Sequence, residues 1–383
     1  MTTMTQWIRA RIFVSTAVLC CAVLVGHVHA AQAVHQNGEH EEQGDDHDGP
    51  LTIAVFGDWP YSLPLVAAAP RLISSINSDP QVSLVLHVGD IHSGSMPCTG
   101  AGLLPLPAGS NPAWNLAIFA LFGQFRDPVV YTPGDNEWTD CHKTKQFSSG
   151  APLNELAAVR DLFFPIPGQT LGVNKKHVLS QAKVANSAFP SDAQFVENVM
   201  WKDSRVIFVA LNVPGSNNDG LAWTAPFTNE SARTQEVAQR NGANLRWLGR
   251  AFAWAESENA KAVVIGLQAD MWDPAALVPG GDGLGGYTEF VRQLANLTLH
   301  FGRPVLLLNG DSHLFEADHP LADPNSPTGM IHGTQAVPNL TRITVQGSTN
   351  KPREWLRLTI DPQAPGVFSW TNVIYCDNTT CPN

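Results

Sequence analysis

Leu51-Thr52-Ile53-Ala54-Val55-Phe56-Gly57-Asp58 is a short, β-branched apolar run closed by Gly-Asp. A run of this kind, with no polar alternation, reads as a strand buried on both faces and ending in a loop. Residues 81–88 repeat the pattern and end in Gly89-Asp90. Residues 128–132 run into Pro133-Gly134-Asp135, and residues 304–308 into Asn309-Gly310-Asp311. Residues 205–211 and 261–266 complete the series of buried strands. Helical periodicity separates them at 71–76, 113–125, 235–254 and 287–299. Strands alternating with helices imply an α/β domain with parallel sheet. Near the end, 341–347, 354–360 and 367–373 read as strands joined by turns at a sheet edge. The Gly-, Pro- and Asn-rich stretch 148–193 reads as surface elaboration.

In parallel sheets of this class the ligand site lies beyond the carboxyl ends of the strands. One Gly-Asp after a strand is a turn; four of them, at Asp58, Asp90, Asp135 and Asp311, ask for a shared reason. Converging carboxylates need neutralising, and a divalent cation does so most simply. The candidate ligands are Asp58, Asp90, His92, Asp135 or Asn136, Gln268, Asp311 and His313. The competing reading has each aspartate capping its own loop and His313 satisfied within the core.

The order of these blocks resembles the calcineurin-like metallophosphoesterase superfamily, including its purple acid phosphatase branch. The blocks are Gly57-Asp58-Trp59, Gly89-Asp90-Ile91-His92, Gly134-Asp135-Asn136-Glu137, Gln268 and Gly310-Asp311-Ser312-His313. The resemblance covers about 51–315, and its opening block looks like that of the acid phosphatase branch. It implies a four-layer α/β/β/α sandwich with two mixed sheets, formed by 51–383 as a single domain. It implies two divalent metal ions (Mn, Fe, Mg, Zn or Ca), with Asp58 and His313 on the first and Asp90 bridging. Asp135, Gln268 and Asp311 complete the second, with Asn136 as the alternative to Asp135.

The departures from the family pattern are chemical. Pro60 stands where many members carry a histidine, and His92 is the nearest replacement. Asn136 occupies the column of the histidine that assists the leaving group. Gln268 and Asp311 replace two metal-binding histidines, which makes the second site almost wholly oxygen donors and suits hard ions. The implied activity is phosphoric ester hydrolysis by a metal-activated hydroxide. Leaving-group protonation then falls to His92, His142 or solvent, and Asn212 with the loop 213–218 offers donors to substrate. The alternative is a catalytically impaired metal-binding or interaction protein that keeps the fold.

The remainder of the sequence sets the context. The 383 residues carry a net charge of −11 with 44% hydrophobic residues, which excludes a disordered chain and argues against a nucleic-acid partner. No Gly-x-Ser-x-Gly elbow, phosphate loop or dinucleotide fingerprint occurs. Arg9 and Arg11 precede an apolar run at 12–26, and Val28-His29-Ala30 offers a signal-peptidase site, so 1–30 reads as a signal peptide. Its removal takes away two arginines and no acid, moving the charge from −11 to −13. Residues 31–50 read as a polar, acidic, disordered leader. Secretion or a periplasmic location follows, with no stable membrane span after cleavage. In an oxidising compartment, Cys98, Cys141, Cys376 and Cys381 read as two disulfides. Few basic residues line the motifs, which points to a small phosphate ester and away from a polyanion. Trp59, Trp138, Trp223 and Trp272 lie in or near the same loops, where they either frame a substrate mouth or pack.

Overall fold

A computed structural model describes residues 49–99 and 113–376. The predicted signal segment, nearly all of the acidic leader and Cys381 lie outside the described residues. β1 (Leu51–Phe56) is buried along its whole length. β2 (Val82–His87) pairs parallel to it, and β3 (Val129–Tyr131) parallel to β2. On the other flank of β1 lie two antiparallel strands, β11 (Arg353–Ile360) and then β12 (Phe368–Cys376). This five-stranded sheet has the order β12-β11-β1-β2-β3.

A second sheet runs β4-β5-β6-β7-β8-β10-β9. Its parallel centre is β6 (Val206–Ala210), β7 (Ala262–Gly266), β8 (Val305–Asn309) and β10 (Leu340–Thr344). The antiparallel flanks are β4 (Leu179–Ser180), β5 (Val199–Asp203) and β9 (Glu316–Asp318).

Alternate residues of each strand assign the layers, because successive side chains point to opposite faces. Ile53, Val55, Leu84 and Leu86 of the first sheet pack with Phe208, Val264, Leu306 and Leu308 of the second. Ala54, Phe56 and Val85 face outward to α1 (Leu63–Asn77), α2 (Trp114–Phe122) and α3 (Pro152–Phe163). Val209, Val263, Ile265 and Leu307 face outward to α5 (Glu230–Ser257) and α6 (Thr288–Phe301). Two short elements complete the order, α4 (Gly215–Asp219) and α7 (Pro327–His332). The result is two mixed sheets between helices, as the resemblance implies.

Three sequence expectations need correction. The helix expected at 71–76 begins at Leu63, where Ser62 caps it by accepting from the Leu65 amide; Pro70 sits inside it. A proline normally ends a helix reading, and here tertiary burial of Leu65, Ala69, Leu72 and Ile76 overrides it. The stretch 148–193 is not only surface, since Leu156, Val159 and Phe163 of α3 enter the core. The three terminal strands do not share one edge: β10 joins the second sheet between β8 and β9, while β11 and β12 build the first. The β5–β6 hairpin went unread because its turn, Ser204-Arg205, has two positive φ values without the usual Asn-Gly signal.

Candidate metal centre

The loops that follow β1, β2, β3, β7 and β8 meet at one place. Asp58, Asp90, Asp311 and His313 hold positive φ of 48°, 59°, 75° and 66°. Each such residue costs about 1–3 kcal/mol, so the surrounding fold must impose the conformation. The first residue of the Gly-Asp pairs has its own cause. A Cβ on Gly134 would lie 2.0 Å from Asp90 Oδ1, so only glycine lets the β3 loop close over that carboxylate. Glu137, fully buried, ties the loops: its Oε1 accepts from Ile91 N at 3.3 Å, Gly134 N at 3.0 Å and Tyr131 Oη at 2.8 Å.

Asp58, Asp90 and His313 each present a ligand atom within 4.8 Å of one another, a group able to hold a metal ion. Tyr61, which sequence reasoning missed, stands among them. Its hydroxyl lies 3.0 Å from Asp58 Oδ1, 2.8 Å from Asp90 Oδ2 and 3.2 Å from His313 Nε2. Asn136 borders the same point, its Nδ2 donating to Asp90 Oδ2 at 2.6 Å and its backbone N–H to Asp90 Oδ1 at 3.2 Å. Burial, then the charges of Asp58 and Asp90, pushes the Tyr61 phenol well above its ordinary range. Burial would lower His313, but Asp58 at 3.4 Å outweighs it and holds the imidazole above its usual value.

Beside this group lie Asp135, Gln268 and Asp311. Gln268 Nε2 donates to Asp135 Oδ1 at 3.1 Å, and its Oε1 accepts from the Gly215 amide. A Cβ on Gly215 would stand 2.7 Å from Asp311 Oδ1 and 2.9 Å from Asp135 Cγ, so the two carboxyls converge on that glycine. Asp311 is tethered to the first group as well, its backbone N–H donating to Asp58 Oδ2 at 3.1 Å. Burial, followed by neighbouring carboxylates, pushes Asp90 and Asp311 well above the carboxylate range and raises Asp135. Among the described residues no Lys or Arg ion-pairs with Asp58, Asp90, Asp135 or Asp311. Buried like charges without a Lys or Arg partner are what a bound cation would relieve, so the donor set fits divalent metal.

The sequence model of the calcineurin-like phosphoesterase family matches residues 51–266. The chain belongs to the calcineurin-like phosphoesterase family. The matched span takes in Asp58, Asp90 and Asp135, whereas Gln268, Asp311 and His313 follow it. No curated protein matches the chain. Among solved structures, GAP50, described as the anchor in the inner membrane complex of Plasmodium, is similar at 10% identity and a TM-score of 0.40. The alignment covers 87% of this chain and 91% of that one.

Not every residue expected at this phosphoesterase site joins the carboxylates. His92 lies outside the three-residue group; its Nδ1 meets Ser93 O at 3.1 Å, while Nε2 is buried without a partner. Burial keeps His92 below the usual histidine range. His142 is held by Thr224, whose N–H donates to His142 Nδ1 at 3.0 Å, and burial lowers it to about 4. Asn212 donates to Glu197 Oε1 at 3.0 Å, away from the cluster. In the loop 213–218, Asn217 accepts from Gly286 N and Asn218 donates to Asn241, so these amides are engaged inside the protein. Besides the Gly215 amide, the Ser216 side chain turns to the site, its Oγ 2.7 Å from both Asp135 Oδ2 and Asp140 Oδ1. Trp59, Trp138, Trp223 and Trp272 are all buried and frame no mouth.

One feature of the rim differs from expectation and another agrees with it. Basic residues do approach the motifs: Lys143 and Lys145 pair with Asp140, each at 2.8 Å. Cys98 and Cys141 are bonded to each other, joining the loops that follow β2 and β3. Cys376 is disulfide-bonded too. No helix among the described residues is long and apolar enough to cross a membrane.

Proposed function

We propose that this calcineurin-like phosphoesterase is an exported, metal-dependent phosphoric ester hydrolase, with 51–383 as one domain acting on a small phosphate ester. The observation that carries the reading is the convergence of Asp58, Asp90, His313 and Tyr61 on one point, flanked by Asp135, Gln268 and Asp311. Asp58, His313 and Tyr61 would hold a first divalent ion and Asp135, Gln268 and Asp311 a second, with Asp90 between them. Two such ions, when bound, supply Lewis acidity toward the phosphoryl oxygens and a nucleophilic hydroxide at neutral pH.

The chain's own residues set the geometry of that chemistry. Asn136 holds Asp90 by two hydrogen bonds and so fixes the carboxylate that would lie between the two ions. Glu137 locks the β2 and β3 loops together, which keeps Asp90 and Asp135 at constant separation. Burial of Asp58, Asp90 and Asp135 excludes water and strengthens every charge interaction there. Metal analysis of the purified chain, followed by an aryl phosphate screen across Mn, Mg, Fe, Zn and Ca, tests the reading. Bound ions with turnover support it; bound ions without turnover favour a metal-binding protein that has lost catalysis.

A further inference from the structure

We propose that Lys145, steered by Asp140, receives a phosphate oxygen of the substrate and makes the site selective for dianionic phosphate monoesters. The inference rests on the hydrolase reading and deepens it by naming the ester class.

Asp140 is fully buried, and its two oxygens each meet one ammonium at 2.8 Å, Lys143 at Oδ1 and Lys145 at Oδ2. One buried carboxylate thus engages both ammoniums. The two lysines are not equivalent. Lys143 donates to Ser216 Oγ at 2.8 Å and to Asp282 Oδ2 at 3.2 Å, besides its ion pair with Asp140. Among the described residues Lys145 pairs with Asp140 alone, and its side chain is 51% exposed. Its ammonium therefore keeps N–H donors for a ligand.

Its position makes that ligand a substrate of the metal centre. A Cβ on Gly94 would lie 2.7 Å from Asn136 Oδ1 and 3.3 Å from Lys145 Nζ, so the ammonium and the Asn136 side chain border the same point. Asn136 in turn holds Asp90 Oδ2 at 2.6 Å. On the other side, Ser216 Oγ joins Asp140 to Asp135. Lys145 thus stands on the rim beside both ligand groups, where position 136 offers a neutral amide in place of a basic side chain. The carboxylates facing it, Asp140, Asp135 and Asp282, keep it charged against the opposing effect of burial. A second anionic oxygen, present on a monoester and absent from a diester, is the group this cation can reward.

The test compares metal-loaded wild type, Lys145→Gln and Lys145→Arg on an aryl phosphate monoester and the matching diester, with calorimetric binding of inorganic phosphate to each. Lys145→Gln is expected to lower kcat/KM for the monoester and weaken phosphate binding by about tenfold or more, the loss of one charge-assisted hydrogen bond, while the diester changes by less than about threefold. Lys145→Arg should restore most of the monoester rate, and metal content and melting temperature should stay at wild-type values. Equal losses on both esters, or equal phosphate binding by wild type and Lys145→Gln, would overturn the proposal while leaving the hydrolase reading in place. Phosphate binding that depends on Lys145 in a protein without turnover would uphold the anion site and refute the hydrolase. A metal-loaded wild type that binds no phosphate overturns the inference whatever its turnover.

Discussion

The Tyr61 hydroxyl lies 2.8 Å from Asp90 Oδ2, which places a phenol from the β1 loop against the carboxylate that follows β2. Replacing Tyr61 by Phe removes the only hydroxyl in contact with Asp58, Asp90 and His313 together among the described residues. Tyr61→Phe should weaken divalent-ion binding by about tenfold or more, read by isothermal calorimetry on stripped protein. An unchanged affinity would place Tyr61 outside the ligand shell.

Asp311 and Asp135 approach one another across Gly215. In metal-free protein they repel, and Asp311→Asn removes one buried charge. Stripped Asp311→Asn is expected to melt above stripped wild type by roughly 2 °C or more, about 1 kcal/mol of relief. Added Mn should then stabilise wild type and not the variant. Differential scanning calorimetry with and without the ion reads both signs.

Asp219 supplies the pH prediction. Burial, then Glu236, raises its carboxyl to about 7, and its Oδ2 is buried without a hydrogen-bond partner. An unfolded aspartate titrates near 4, so between about 4 and 7 the folded chain binds more protons than the unfolded one. This group therefore lowers stability as pH rises through that window, and its penalty is complete above about 7. Asp219→Asn should gain about 2 kcal/mol over wild type at pH 8 and nothing at pH 4, measured by urea unfolding.

Cys98 and Cys141 are separated by 43 residues. Loop-closure entropy gives such a bond about 4 kcal/mol of stability. The Cys98→Ala, Cys141→Ala double variant should lose about that much and bind metal more weakly, because the bond joins the loops carrying Asp90 and Asp135. Stability loss with intact metal affinity would make the bond purely a fold element.

Much of this arrangement is legible in the sequence, and the reasons for success and failure differ. β1, β2, β3, β7 and β8 were readable because buried strands carry little polar alternation, and all but β7 lead into glycine and acid. The aspartates of the candidate site followed from their place at the strand ends. Tyr61 escaped because no periodicity marks a loop residue; its signal is only that a hydroxyl-bearing aromatic stands three residues beyond Asp58. Lys143 and Lys145 escaped because nothing in the sequence marks Asp140 as buried between them. His92, two residues from Asp90, had the right spacing, but the backbone turns it toward Ser93. Spacing in sequence does not fix direction once residues such as Asp90 adopt positive φ.

The central claim, a metal centre built on Asp90 that hydrolyses phosphate esters, is tested most directly by phosphate release measured as Mn is titrated into the stripped chain. The account predicts turnover of an aryl phosphate rising until about two ions are bound per chain, and its loss in Asp90→Asn. A folded wild type that binds no ion, or one that binds two and releases no phosphate, would contradict it.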